Sequence, residues 1–456
     1  MRSLRLHLVA APTLLVAVVG FLILLSPQFT EVRVSLGLPD RLPGSRFNPT
    51  VGAAEILAPG EAGEEYLGRL TFAYHAVFAA LLYATLLPAS RTLDERARGS
   101  VLDLAGAGAV AAALGGLAYA YGGGGFLWHG VFVSGLAFLF CSGALFLLNL
   151  RTPDLVWANL AVTVLLMLVG GLVGGWLGSS FMEHRPEFLG ALAEARFNPD
   201  LAEENVFWRA LTAHEHAMVA LALTAVFLVG LSFLEVPETR LGRWSMYAVL
   251  IGQVLTASAS FAVWPAGKVA HLVITPAALL LVAATTAASL ASRGPRHLRL
   301  GLVAGNLVLW ASVVVPGALV AASLRRPLFF DPPFRDPAWD WAELAFNVGH
   351  WHILLGLWGV VLLFVYAHWP EDLTGSRLAR LALWLAMGGF AVAAVSVNLY
   401  MLANPPGPYS PNPYDNVYLG YLVEPGLVTM SLGVALGYLT LLARGLGLGL
   451  GRGRES

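Results

Sequence analysis

Residues 244–291 read WSMYAVLIGQVLTASASFAV at 244–263, WPAGK at 264–268 and VAHLVITPAALLLVAATTAASLA at 269–291. Each apolar run is long enough to cross a bilayer at about 20 residues per span. Only five residues part them, and Pro265 and Gly267 are turn formers, so the segment predicts two membrane helices joined by a tight turn. The same pattern recurs in both directions. Spans are predicted near 8–26, 68–88, 102–121, 125–150, 157–179, 210–234, 244–263, 268–291, 299–322, 344–367, 378–402 and 422–444. The expected fold class is an all-α integral membrane protein of about twelve transmembrane helices, one membrane domain over residues 1–456.

Composition supports lipid as the main solvent and partner. The chain is 57% hydrophobic and 12% charged, against roughly 25% charged in soluble domains, and its mean hydropathy is +0.70. A net charge of -1 points to no nucleic-acid partner. The single cysteine, Cys141, excludes a disulfide or a cysteine-based metal site within the chain. The first run, Val9 to Leu25, follows Arg2 and Arg5 in the manner of a signal peptide. Eleven further runs and no clear small-residue cleavage pattern favour a span.

Arginines set the expected orientation. With both termini cytoplasmic, inner segments carry 16 of the 27 basic residues. Residues 89–101, inside, hold three arginines, and 403–421, outside, hold none. The expected location is the cell (inner or plasma) membrane, crossed many times. Three long outer loops, 27–67, 180–209 and 323–343, then precede helices 2, 6 and 10.

Those loops expose an internal repeat. Arg46-Phe47-Asn48-Pro49 precedes helix 2, Arg196-Phe197-Asn198-Pro199 precedes helix 6, and a looser Phe334-Arg335-Asp336-Pro337 precedes helix 10. His75, His216 and His352 begin similar apolar stretches 141 and 136 residues apart. The predicted repeat units, about four helices each, are approximately 27–179, 180–322 and 323–444.

A histidine inside a span is costly and is a functional hypothesis by default. These three lie seven or eight residues inside the outer ends of their helices, ~10–12 Å at the helical rise. His350 and His352 are two residues apart, hence about 200° apart around the helix. One helix can thus serve two cofactors, one on each side. His214 and His216 repeat the spacing on helix 6 with Glu215 between them. The plainer reading of a lone membrane histidine is a hydrogen bond to a neighbouring helix, and it stays open for His75, His214 and His271. His129 reads as structural. His7, His184, His297 and His368 fall at ends or in loops and are expected in solvent.

The segment Gly349-His350-Trp351-His352-Ile353-Leu354-Leu355-Gly356, with the twelve helices and the other histidines, resembles subunit I of the haem-copper oxidase superfamily. Within that family the likeness is nearest to the C-type oxidases and nitric oxide reductases. The resemblance implies three pseudo-repeated four-helix arcs. It implies a high-spin haem on His350 with an open face for a gas, and a low-spin haem between His75 and His352. It also implies a second metal, copper or non-haem iron, at His216 with His214, His271 and Glu215 as further ligands. His350 and His216 would be the catalytic pair. Arg325 and Arg326, and likewise Trp208-Arg209, lie at outer helix ends where arginine pairs with haem carboxylates.

The chain departs from the family pattern. The adjacent His-His pair of helix 7 is missing: the matching stretch, Trp264 to His271, has one histidine. The redox tyrosine is not evident in Ser260-Phe261-Ala262-Val263, and Val219-Ala220-Leu221 lacks the glutamate of nitric oxide reductases. No buried acid or lysine row marks a proton channel. The missing tyrosine and the lack of a proton channel favour nitric oxide over oxygen as the gas, and the missing His-His pair weakens both. Outer acids Glu61, Glu64, Glu65, Glu203, Glu204, Asp331, Asp336 and Asp340 suit a basic donor such as a cytochrome c-type protein. Two other readings stay open: a haem-bearing electron-transfer or gas-binding subunit without turnover, and a transporter with gating histidines.

Overall fold

Short polar residues start the helices. Asp94 accepts a hydrogen bond from the Ala97 N–H at 2.8 Å, Asp154 accepts from Val156 and Trp157, and Thr239 accepts from Gly242. Each satisfies amide groups that the first helical turn leaves unpaired. The computed structural model describes residues 2–25, 30–38, 69–122, 125–151, 154–195, 206–318, 337–403 and 417–446. Its long helices are α1 (Arg2–Leu25), α2 (His75–Ala89), α3 (Glu95–Tyr121), α4 (Phe126–Asn149), α5 (Leu155–Ala195) and α6 (Val206–Leu231). They continue as α7 (Arg240–Ala266), α8 (His271–Ala291), α9 (Arg296–Leu309), α10 (Pro337–His368), α11 (Arg377–Ala403) and α12 (Val417–Gly445). Among the described residues twelve helical segments are long and apolar enough to span a membrane, one at each predicted position. Among the described residues there is no strand, only an isolated bridge between Glu235 and Arg293.

The turn expected at Trp264–Lys268 is present. α7 ends at Ala266, Gly267 takes φ +59°, and a 3-10 turn over Gly267–Ala270 leads into α8. That φ is in the region where a Cβ is penalised, which explains glycine there. Two helices carry π-turns. One, Arg69–Tyr74, leads directly into α2 at His75, and the other, Trp310–Val314, extends α9. Wide turns of this kind frequently lie at functional sites.

The chain divides into two compact units, Met1–Leu150 with α1–α4 and Arg151–Ser456 with α5–α12. The boundary falls inside the first predicted repeat unit.

Within unit 1, glycines let α3 and α4 touch backbone to backbone. A Cβ on Gly108 would stand 2.8 Å from the Gly135 carbonyl and 2.9 Å from the Leu139 nitrogen. Without a hydrophobic drive between helices in lipid, such close approach is how dispersion holds them. Ser142 adds a 2.9 Å hydrogen bond to the Val101 carbonyl.

Within unit 2, α11 and α12 meet the same way, with Gly389 against Gly426 and Gly426 against Ala393. α7 and α8 approach at Gly252, where a Cβ would lie 3.0 Å from the Leu281 Cα. These close pairs, α3/α4, α7/α8 and α11/α12, recur at the four-helix interval of the predicted repeat. Polar pairs lock other seams. Asn159 and Thr163 of α5 bond Gln253 of α7 at 3.1 and 2.5 Å, and Thr285 of α8 bonds Asn306 of α9 at 2.9 Å. Helix α6 is the most enclosed, with every residue from Leu221 to Gly230 buried. It packs against α5, α7 and α10. A helix apolar all round belongs in the middle of a bundle, and this one carries His214, Glu215 and His216 into unit 2.

Candidate functional site

The two α6 histidines have different surroundings. His214 is 7% exposed and turns toward α5, with Nδ1 3.0 Å from the Gly170 carbonyl. Its ring lies over Gly174, where a Cβ would come 2.5 Å from Cε1 and 3.0 Å from Nε2. On α5 the Gly170 carbonyl therefore partners this ring, and Gly174, with no side chain, leaves it room. His214 thus takes the helix-bridging role that the sequence left open.

His216 faces another neighbour. It is half-buried, and its ring meets the edge of Trp351 on α10 with centroids 6.2 Å apart and planes at 87°. Its Nδ1 lies 2.9 Å from the Thr212 carbonyl of its own helix. A carbonyl only accepts, so Nδ1 carries the hydrogen and the Nε2 lone pair is the one offered away from the helix. His350, one residue before Trp351, is half-buried and within electrostatic reach of His216. His352 is exposed, as the 200° separation on the helix requires. The facing of His216 with His350 and Trp351 is the main constellation of unit 2. Glu215 is half-buried between the two α6 histidines.

Arg209 lies seven residues before His216, two turns toward the predicted outer end and on the same face. It reaches over the α7–α8 turn, 3.8 Å from a Cβ position at Gly267. Its Nε is buried and has no hydrogen-bond partner. A buried guanidinium nitrogen without an acceptor is expensive, and it suits a carboxylate-bearing ligand.

In unit 1, His75 is half-buried and edge-on to Phe132, centroids 5.8 Å apart. Phe132 meets Phe72 edge-on at 5.1 Å, and Phe72 packs on Tyr119 at 4.4 Å. His129 joins this aromatic cluster, 5.6 Å from Tyr119, in keeping with its structural reading. Thr212, Trp351, Gly170 and Gly174 were not singled out from sequence. Trp351 stood between the two α10 histidines, and the glycines formed a spaced pair on α5, so a signal existed for each.

Two histidines expected in solvent are buried instead. His368 has a side chain 3% exposed, with Nδ1 3.3 Å from Asp372. The loop after α10 folds back on it: Asp372 accepts from both the N–H and the hydroxyl of Thr374. Burial would raise the Asp372 carboxyl, but the Thr374 bonds and the charges of His368 and His297 hold it below its ordinary range. His7 is 5% exposed. His297 is half-buried and accepts from the Trp384 indole at 3.3 Å.

Several predicted site residues lie outside the described residues: Arg325, Arg326, the three loop motifs except Pro337, and the side chains of His271, His184, Trp208 and the outer acids. Among the described residues no group of three or more His, Cys, Asp or Glu side chains is placed to hold a metal ion. Compared with known proteins, the chain matches no family model, no curated protein and no solved structure.

Proposed function

We propose that this protein is a haem-containing respiratory oxidoreductase of the cell membrane that reduces a small gas, nitric oxide in preference to oxygen. The observation that carries the reading is the packing of His216 on Trp351, with His350 beside Trp351 and within electrostatic reach of His216. His350 is the residue that would hold the gas-binding haem. His75 and His352 are the candidate ligands of a second, electron-transferring haem, an assignment taken from the family resemblance. The donor set fits haem, since one imidazole nitrogen suffices per axial position. The buried Nε of Arg209 fits a group that carries carboxylates. A haem on His350 would supply an iron with one face open to a diatomic ligand.

The chain's own residues do the rest. The Thr212 carbonyl orients His216 so that Nε2 is directed away from α6. Trp351 walls the space beside it with an apolar ring. The enclosed α6 keeps bulk water away. A second metal, copper or non-haem iron, is not built into this reading, because the described residues do not assemble three donors for it. Electrons would enter from a cytochrome c-type donor outside. The choice of nitric oxide rests on the missing tyrosine near Ser260–Val263 and on the lack of a buried acid row.

That same incomplete donor set favours a second reading: a haem-bearing electron-transfer subunit without turnover. A pyridine haemochrome spectrum of the purified protein tests both. Haem is expected, and its absence in pure, folded protein sinks both readings in favour of a transporter. With haem present, consumption of nitric oxide or oxygen under reducing conditions separates the enzyme from the carrier.

A further inference from the structure

Unit 1 buries His7 where α1 meets α2 and α3. Its Nδ1 lies 2.6 Å from the Tyr83 hydroxyl, and its Nε2 lies 3.2 Å from an Asp103 carboxylate oxygen. Tyr83 is 1% exposed, whereas the Asp103 side chain is 73% exposed. Space for the phenol comes from α3: a Cβ on Gly106 would sit 3.2 Å from both Cζ and Oη of Tyr83. Three titratable groups from three helices therefore lie in line, a hydrogen bond joining His7 to the buried phenol and a close ion-pair contact joining it to the exposed carboxylate.

Their depth matters. Asp103 is eight residues past Glu95, where α3 begins, and so ~12 Å into the helix. Ionisable residues inside spans are functional candidates. By the arginine distribution this end faces the cytoplasm. Tyr83 is eight residues, again ~12 Å, from His75 along α2. Between these levels lie Val18, Ala76 and Ala113, with Leu14, Val77 and Leu117 packed against them. Charges separated by apolar packing interact much more strongly than in water. The titratable groups facing His7 are Tyr83 from α2 and Asp103 from α3. Arg5, on its own helix, is exposed.

We propose that Asp103, His7 and Tyr83 form a proton-accepting site that takes one proton from the inner aqueous phase when an electron reaches the haem on His75. This rests on the haem reading of His75. In the uncharged state Nδ1–H donates to the Tyr83 oxygen and the Nε2 lone pair faces Asp103. The incoming proton passes from water to the Asp103 carboxylate and on to Nε2. The imidazolium then donates from Nε2 to Asp103 and keeps its Nδ1–H on the Tyr83 oxygen. The electron raises the fraction of His7 that holds the proton across the pH range where it titrates, and no bond between heavy atoms changes.

Redox titration of the haem absorbance in full-length protein, from about pH 5 to about pH 8 where histidine titrates, tests this. For unit charges ~12 Å apart at an effective dielectric constant of about 20, the reduced-to-oxidised ratio should change about tenfold between the acid and alkaline limits. The wild-type midpoint should fall as pH rises. His7→Gln and Asp103→Asn should flatten that dependence. Asp103→Asn alters an exposed side chain and so retains the fold. A wild-type midpoint independent of pH, or the same slope in Asp103→Asn and wild type, overturns the proposal while leaving the haem reading standing. A haem spectrum unchanged by His75→Ala removes the haem reading of His75 itself, and the proposal with it.

Discussion

Replacing His214 and His216 one at a time should separate a structural histidine from a functional one two residues away. His214→Ala removes a ring that is 7% exposed, together with its 3.0 Å bond to the Gly170 carbonyl. The hydrogen bond contributes about 1 kcal/mol. Large-to-small changes in packed interiors cost about 2–5 kcal/mol. The loss should therefore be about 3 kcal/mol, since Gly174 leaves nothing beneath the ring to fill the space. His216→Ala removes a half-buried ring bonded to the Thr212 carbonyl of its own helix and should cost less, about 1 kcal/mol. Thermal unfolding in detergent reads stability, and the haem spectrum with added nitric oxide reads the site. The expected pattern is a large drop in melting temperature with an intact spectrum for His214→Ala. His216→Ala should show a small drop with an altered ligand-bound spectrum. A second prediction joins the pair: Gly174→Ala alone should destabilise, because its Cβ would meet the His214 ring. In the His214→Ala background the same methyl enters vacated space, so the two changes should compensate. The reasoning is refuted if His214→Ala leaves stability unchanged, or if the two costs simply add.

Asp372 carries a pH dependence. Its folded carboxyl titrates below its ordinary value of 3.8. The stabilisation it gives the α10–α11 loop is thus complete above that value and disappears as pH falls through the lower folded one. Asp372→Asn should flatten stability measured between about pH 5 and pH 2. An acid-side loss equal to wild type would contradict this. Asn159→Ala removes the Oδ1 that accepts from the Gln253 amide at 3.1 Å and the side-chain amide that donates to the Met246 carbonyl at 3.1 Å, leaving Gln253 only its 3.2 Å bond to the backbone carbonyl of residue 159. Leaving such a buried group unsatisfied should cost about 1–3 kcal/mol, read as a lowered melting temperature. Gly389→Val should disrupt the α11/α12 contact, since even a Cβ would strike the backbone of Gly426 and Met430. Overpacking of about 1–3 kcal/mol should appear as lower folded yield and increased proteolysis in unit 2.

The twelve helices were legible because the signal is local. A run of about 20 apolar residues has few alternatives in a membrane, and the Pro265–Gly267 turn marks its own boundary. The facing of His216 with His350 was partly legible, since the two-residue spacing on a helix forces paired histidines apart. Which member of each pair faces which neighbour was not legible. That depends on the rotation of α6, and rotation is decided by packing. His214 takes the α5 side because Gly174 leaves room for its ring and the Gly170 carbonyl partners it, and His216 meets Trp351. His7 and His368 were misplaced for a related reason. Position near a helix end predicts solvent, yet burial depends on what other helices bring. Tyr83 and Asp103 enclose His7 from 76 and 96 residues away, and a loop folded around Asp372 and Thr374 encloses His368.

Sequence by itself determined that this chain crosses a membrane about twelve times and carries histidines within its spans, because hydrophobic length and helical periodicity act within one segment. Only the tertiary structure decided which of those histidines brace helices, which face one another across α6 and α10, and which join a chain of titratable groups. Those assignments depend on contacts between segments far apart in sequence, set by where glycines let helices close in and where polar groups find partners.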